Sequence, residues 1–283
     1  MSEEKPQSDL STRFTMGVVM IAVACAAIYF GGTGDATGAW VFRLLFAAAA
    51  ALMLVEWGDM HRLSRALSWF GAGLIAVTLL AAAQWLFPAG EIDLIDGVEA
   101  IGPGSFDEVW KGVAVIAAAA LVYALIARRL SMGWGFFYIG VPIFALMVLE
   151  WARFDIVFWL MLVTWSTDTF AYFAGRAIGG KKLAPRISPN KTWSGLIGGM
   201  VGAAFVGGIA AWAFDLDPIF LLAGAPMAVL AQLGDLYESK VKRRLGVKDS
   251  GTILPGHGGI LDRLDGLLPV TVATLALLIA SLG

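Results

Sequence analysis

GLIGGMVGAAFVGGIAAWAF, residues 195–214, contains no charged side chain. At about 1.5 Å of rise per residue, a helix of this length matches the roughly 30 Å hydrocarbon core of a bilayer. Its glycines and alanines permit close approach of a neighbouring helix. The stretch therefore reads as a transmembrane helix packed tightly inside a bundle. The rest of the chain has the same character: 283 residues, 59% hydrophobic, 15% charged, with mean hydropathy +0.78. A soluble domain needs a polar surface, so this balance excludes one. The single cysteine, Cys25, lies in an apolar run, which excludes a disulfide framework and a cysteine-based metal site. A net charge of −2 carries little information here, because position along the membrane normal decides what a charge does. No nucleic-acid partner is expected.

Working outward in both directions at about 20 apolar residues per crossing, the sequence predicts nine transmembrane helices. They fall near 14–32, 38–57, 66–88, 111–129, 132–150, 154–176, 192–214, 217–237 and 264–283. The expected fold is an all-α polytopic membrane bundle, N-terminus in and C-terminus out. Under that orientation every basic residue except Arg43, Lys111 and Arg153 falls on the cytoplasmic side, as the positive-inside rule requires. Residues 1–13 are polar and lack a basic n-region and a cleavage site, so the apolar segment after them is expected to stay as a span. Residues 14–150 form an N-terminal helical half, and 151–283 a C-terminal half expected to carry catalysis. The outer segment 89–110 is acidic and reads as a solvated loop or short lid. Trp40, Trp57 and Trp151 near span ends suit an interfacial aromatic belt.

Three polar groups interrupt this apolar background, and an ionisable residue in a bilayer is a functional candidate by default. Asp168 lies about two turns inside a predicted span, with Thr164 and Tyr172 at four-residue spacing on the same face. That face either lines a polar cavity or makes an interhelical pair. The loop 175–195 combines Lys181, Lys182, Arg186 and Lys191 with two prolines. Its Ser188-Pro189-Asn190 turn is expected to cap a helix starting near Lys191, where exposed N–H groups, Lys191 and Thr192 would favour a phosphate.

The third group is DLYESKVKRRLGVKDSGTILPGHGGILDRLDG, Asp235 to Gly266, with six basic residues, four Asp and one Glu. Ser239 follows Asp235 by one turn, and Asp262 and Asp265 are three apart, on one face of any helix. Carboxylates of this kind suit Mg²⁺, which keeps several waters and binds one or two acids plus substrate phosphates. The glycine-rich GTILPGHGG lets backbone N–H groups approach an anion. Acids for a metal beside bases for phosphate is the arrangement phosphoryl or nucleotidyl transfer needs. Bases alone would serve to attract anionic headgroups, but that does not call for Asp235, Asp262 and Asp265 at the same edge.

SKVKR from Ser239, KDSG from Lys248 and LPGHGGILDRLD from Leu254, at fixed spacing, resemble the signature of the phosphatidate cytidylyltransferases (CDP-diacylglycerol synthases). DTFAY from Asp168 with Gly175 and Arg176, then SPNKT from Ser188, resemble that family's upstream motifs in order. The likeness covers about 155–283, and Ser194 departs from it where many members carry Glu. The resemblance implies a membrane enzyme, commonly a homodimer, that joins CTP to phosphatidate. It requires Mg²⁺, sometimes with a potassium ion nearby, and works from a cavity facing cytoplasm and bilayer, here expected in a bacterial inner membrane.

On that basis Asp235, Asp262 and Asp265 are expected at the metal. Lys191, Lys240, Arg243, Lys248 and Arg263 are expected at substrate phosphates, with Asp168, Ser188, Asn190, Thr192 and Ser239 lining the site. His257 either contacts a phosphate or orders the glycine loop, and Asp249 is a cap or a further ligand. A different CTP-dependent lipid phosphotransferase would share the acid and base logic without the long signature. An ion-coupled transporter would place its polar groups at the midplane across a repeat.

Overall fold

A computed structural model describes Ala22, Cys25, Ala26, Tyr29, Phe30 and residues 36–88, 107–253 and 258–281. The helices are α1 (Ala36–Met60), α2 (Arg65–Leu86), α3 (Asp107–Ala127), α4 (Leu130–Ala152) and α5 (Phe154–Ile178). A two-stranded ribbon, β1 (Lys182–Ala184) and β2 (Ser188–Thr192), precedes α6 (Trp193–Ala213), α7 (Ile219–Arg244), the short α8 (Leu261–Leu264) and α9 (Leu267–Ser281). Among the described residues, α1 to α7 are long and apolar enough to cross a membrane, whereas α9 has 15 residues. The architecture is a nearly all-α membrane bundle. Most of the predicted span at 14–32 and most of the acidic segment 89–110 lie outside the described residues.

Short connections make sequence neighbours antiparallel partners. Ser64 caps α2 by accepting from the Leu67 N–H, and Gly179, at φ 63°, lets the chain leave α5. Of the seven long helices, α4 is the most enclosed, which fits its apolar residues on all sides. The small residues of α6 act as the sequence predicts. A Cβ on Gly198 would stand 2.2 Å from Ala174 Cβ, and one on Gly199 3.0 Å from the Thr167 carbonyl. On the other flank a Cβ at Gly224 of α7 would meet the Ala203 carbonyl at 2.2 Å. Backbone cannot yield as a side chain does. Gly224→Ala is therefore expected to destabilise the bundle by about 1–3 kcal/mol, read as a lower thermal midpoint in detergent.

The bundle has two distinct ends. At one, the C-terminal turns of α1, α5 and α7 meet the N-terminal turns of α4 and α6. Trp57 Nε1 donates to the Ser131 carbonyl at 2.9 Å, and Trp134 Nε1 donates to the Tyr237 hydroxyl. At the other, buried Arg43 donates to Gln84 and to the Phe87 carbonyl, and Phe87 packs on Trp151 at 4.9 Å. Trp57 is fully buried and is not a belt residue. Its indole N–H has a carbonyl partner inside the protein, so it gains nothing from the interface.

Candidate active site

A cleft of about 440 Å³ opens where the C-terminal part of α5, β2, the start of α6 and the middle of α7 converge. Asp168, Tyr172 and Arg176 line it from α5, Asn190, Lys191 and Thr192 from β2, and Gln232 and Asp235 from α7. Lys191 Nζ and Asp235 Oδ2 form an ion pair at 2.5 Å across it. The Ser239 hydroxyl donates to Asp235 Oδ1 at 3.3 Å. Asp168 shares its electrostatic surroundings with Asp235, Lys191 and Arg263, so three stretches distant in sequence act on one space. Thr164 does not line the cleft. It is buried, and its hydroxyl donates back to the Leu160 carbonyl at 2.8 Å.

The turn expected to cap a helix is a strand instead. Ser188 pairs with Ala184 and Thr192 with Lys182 in antiparallel register, and the helix begins only at Trp193. Thr192 is the cap, accepting from the Gly195 N–H at 3.0 Å. Pro189 accounts for the difference. It disfavours the helical region for Ser188 before it, and a two-stranded ribbon leaves one edge on which a missing N–H costs nothing. Asn190, Lys191 and Thr192 reach the cleft from β2, while Ser188 is not among its lining residues. At Ser194, where the family pattern leads one to expect Glu, the hydroxyl donates to the Gly179 carbonyl and tethers α6 to the end of α5.

The acidic half of the long motif folds around an internal network. Lys242 Nζ bridges Glu238 Oε2 at 2.9 Å and Asp262 Oδ1 at 2.5 Å, and all three side chains are at most 10% exposed. Asp262 also accepts from the Ser250 N–H at 2.9 and 3.1 Å and from the Gly259 N–H at 2.8 Å. Burial alone would raise the Asp262 carboxyl, but the Lys242 ammonium and these N–H groups outweigh it and hold the group below its ordinary value. Gly258 sits at φ 82°, and a Cβ there would stand 2.8 Å from Asp262 Oδ2. The glycines do bring N–H groups to an anion, but the anions met among the described residues are the protein's own carboxylates. His257 lies outside the described residues.

Asp265 stands behind this network. Burial, the Asp235 charge and the neighbouring Glu238 push its carboxyl well above its ordinary value. Lys240, Arg243, Lys248, Asp249 and Arg263 are exposed. Arg243 donates to the Ile187 and Val247 carbonyls at 3.5 and 3.4 Å, which links α7 to the ribbon.

Among the described residues no three acids or histidines converge as a preformed metal cage. Mg²⁺ does not need one, since it retains waters and takes substrate oxygens. The donor chemistry fits it: Asp235 faces the cleft, and a cation would relieve the repulsion between Asp235 and Asp265. The four N–H and ammonium contacts on Asp262 mean that it would reach a metal only by giving some of them up.

Three participants were not read from the sequence. Glu238 and Lys242, at i and i+4, are an ordinary helix pair by spacing, and only burial makes them consequential. Glu56 was legible as an isolated acid in an apolar span. It is buried, and it accepts hydrogen bonds from Ser250, Ile260 and Leu261.

The cytidylyltransferase family model matches residues 11–281. A phosphatidate cytidylyltransferase of Brucella abortus (strain 2308) is 36% identical over 274 residues, covering 92% of this chain and 90% of its own length. One of Bacillus subtilis (strain 168) is 51% identical over 116 residues, 40% of this chain and 43% of its own. One of Rickettsia conorii (strain ATCC VR-613 / Malish 7) is 38% identical over 151 residues, 49% of this chain and 65% of its own. The likeness thus runs through the N-terminal helices as well as the motifs. The chain belongs to the cytidylyltransferase family.

Proposed function

We propose that this protein joins CTP to phosphatidate, releasing pyrophosphate and leaving CDP-diacylglycerol in the membrane. The observation that carries this reading is the convergence of Lys191, Asp235, Asp168 and Arg263 at one end of a membrane bundle. That convergence lies in a chain whose relatives are named phosphatidate cytidylyltransferases.

A phosphate oxygen of phosphatidate attacks the α-phosphorus of CTP. The new P–O bond forms as the bond from the α-phosphorus to the bridging oxygen breaks, and pyrophosphate leaves with that electron pair. The lipid phosphate is already anionic at pH 7, so no side chain has to remove a proton. What the chain must supply is position and relief of repulsion between two anions. Lys191 and Arg263 bring positive charge to the cleft, and Asn190, Thr192 and Ser239 offer neutral donors. Lys240, Arg243 and Lys248 attract the triphosphate with their exposed charges, and His257 is assigned to a phosphate. Mg²⁺, when bound, adds Lewis-acid neutralisation of the phosphates. Asp235 and Asp265 would hold it, joined by Asp262 where it exchanges Lys242 for the ion, and a second ion such as K⁺ belongs to the same proposal.

The nine-span arrangement with N-in and C-out places the cleft on the cytoplasmic face, where CTP is available. It is supported by the basic residues that gather at the cleft end of the helices: Arg62, Arg65, Arg128, Arg129, Arg176 and the residues of the ribbon and α7. The bacterial relatives support an inner-membrane location, and the family resemblance supports a homodimer.

Purified protein in detergent is expected to move label from α-phosphate-labelled CTP into a lipid-soluble product only with phosphatidate present. Chelation of divalent ions should abolish the transfer, and Mg²⁺ should restore it. A lipid kinase would instead transfer γ-label. No lipid-soluble label under any divalent metal would contradict the proposal. A cysteine introduced within 89–106 should resist reagents applied from the cytoplasm, and reaction there would overturn the nine-span arrangement.

A further inference from the structure

Glu56 lies on α1, almost two hundred residues from the motif it touches, and it is 1% exposed. Its Oε1 accepts from the Ile260 N–H at 2.8 Å. Its Oε2 accepts from the Leu261 N–H at 2.9 Å and from the Ser250 hydroxyl at 3.1 Å. One side chain thus ties together two points of the motif ten residues apart. The surroundings are shaped to it. A Cβ on Gly259 would stand 2.6 Å from Glu56 Oε2, and one on Gly251 2.9 Å from Oε1. Ser250 is gripped a second time, through its N–H, by Asp262.

A buried acid near the end of a membrane helix is costly, and packing alone would be served by leucine. Three donors converging on this carboxylate offset that cost, and all three come from the segment that carries the chemistry. The consequence is positional. Ser250 follows Lys248 by two residues, and Leu261 immediately precedes Asp262 and Arg263. A carboxylate fixing Ser250, Ile260 and Leu261 therefore fixes the backbone from which those three side chains extend.

We propose that Glu56 is a positioning residue for cytidylyl transfer, setting Lys248, Asp262 and Arg263 in register with the Lys191–Asp235 cleft. The inference rests on the reaction proposed above, and Glu56 acts through the motif without touching substrate.

The test compares full-length wild type, Glu56→Gln and Ser250→Ala in detergent. Glu56→Gln keeps the size of the side chain but sets an NH₂ against a backbone donor. Its kcat should fall about 10- to 100-fold, the range for losing a group that orients a ligand. The phosphatidate KM should stay within about threefold, because ground-state binding is not what is removed. The Mg²⁺ concentration for half-maximal rate should rise.

Amide exchange in 248–253 and 258–264 should quicken by about tenfold or more, while α3 and α4 exchange as in wild type. Ser250→Ala, which loses one of three bonds, should move in the same direction by less. Wild-type exchange in those segments for Glu56→Gln would overturn the inference. So would faster exchange throughout the bundle with a collapsed thermal midpoint, which marks a merely structural acid. If Glu56→Gln is not recovered folded, Ser250→Ala decides, and unchanged exchange and kcat in it overturn the proposal. Exchange is read without turnover, so a wild type making no CDP-lipid would count against the reaction and leave the positioning to be judged.

Discussion

Asp235→Asn is expected to lower kcat by at least about 1,000-fold while the protein remains folded and monodisperse. A metal ion supplies several kcal/mol of charge stabilisation, and each 1.4 kcal/mol or so is a factor of ten in rate. Of Asp235, Asp262 and Asp265, Asp235 is the one that lines the cleft, and its Oδ2 also holds Lys191 in place at 2.5 Å. Asparagine keeps the size and an acceptor oxygen but loses the charge, so both the proposed Mg²⁺ binding and the Lys191 orientation should suffer. The stability effect should be small, because the Asp235 side chain is about one-third exposed and its ion pair is correspondingly screened. Turnover within about tenfold of wild type, measured with α-labelled CTP across a range of Mg²⁺, would remove Asp235 from the metal site.

Lys242→Met is expected to act in the opposite way, through stability first. Lys242 neutralises Glu238 and Asp262 in a place where the three side chains are 10%, 0% and 9% exposed. Removing one partner of a buried ion pair costs about 3–5 kcal/mol, because the remaining charge is left without compensation. Here two carboxylates are left. The thermal midpoint in detergent should fall sharply, with activity lost alongside it. Restoring charge balance by the double variant Lys242→Met, Glu238→Gln should recover part of the midpoint. An unchanged midpoint in Lys242→Met would mean that water reaches the network.

The two variants separate two layers that the motif's sequence does not distinguish. Asp235 and Asp262 look equivalent in sequence, each an acid at the edge of an apolar run. The structure gives Asp235 an open cleft and one lysine, and gives Asp262 four donor contacts and little exposure. Periodicity and charge report what a segment carries and which face it presents. They do not report how many donors a folded chain will bring to a carboxylate.

The same limit explains the other differences. The spans from 38 to 237 were legible because twenty apolar residues have one stable arrangement in lipid, and α6 was legible as a closely packed helix because its glycines and alanines permit close approach. Asp168, Lys191 and Asp235 were legible as a group because ionisable residues at a membrane edge are rarely idle. The SPNKT turn was misread as a helix entry because capping residues and strand residues overlap, and Pro189 decided for the strand. Glu56 escaped because its importance lies in partners about two hundred residues away. The glycines of the motif were understood in kind, as backbone made available to an anion. The anion that Gly259 meets is Asp262 of the same motif, and Glu56 of α1 takes the N–H groups of the two residues that follow.

The central claim is that CTP is held in the cleft between α5, β2 and α7. The most direct test is an experimental density map of the protein with Mg²⁺ and α,β-methylene-CTP, an analogue that resists cleavage at the bond broken in the reaction. The expected map shows the triphosphate against Lys191 and Arg263, with metal density on Asp235. Nucleotide density elsewhere, for instance in the apolar recess of about 570 Å³ lined by Leu121, Leu130 and Trp134, would contradict it.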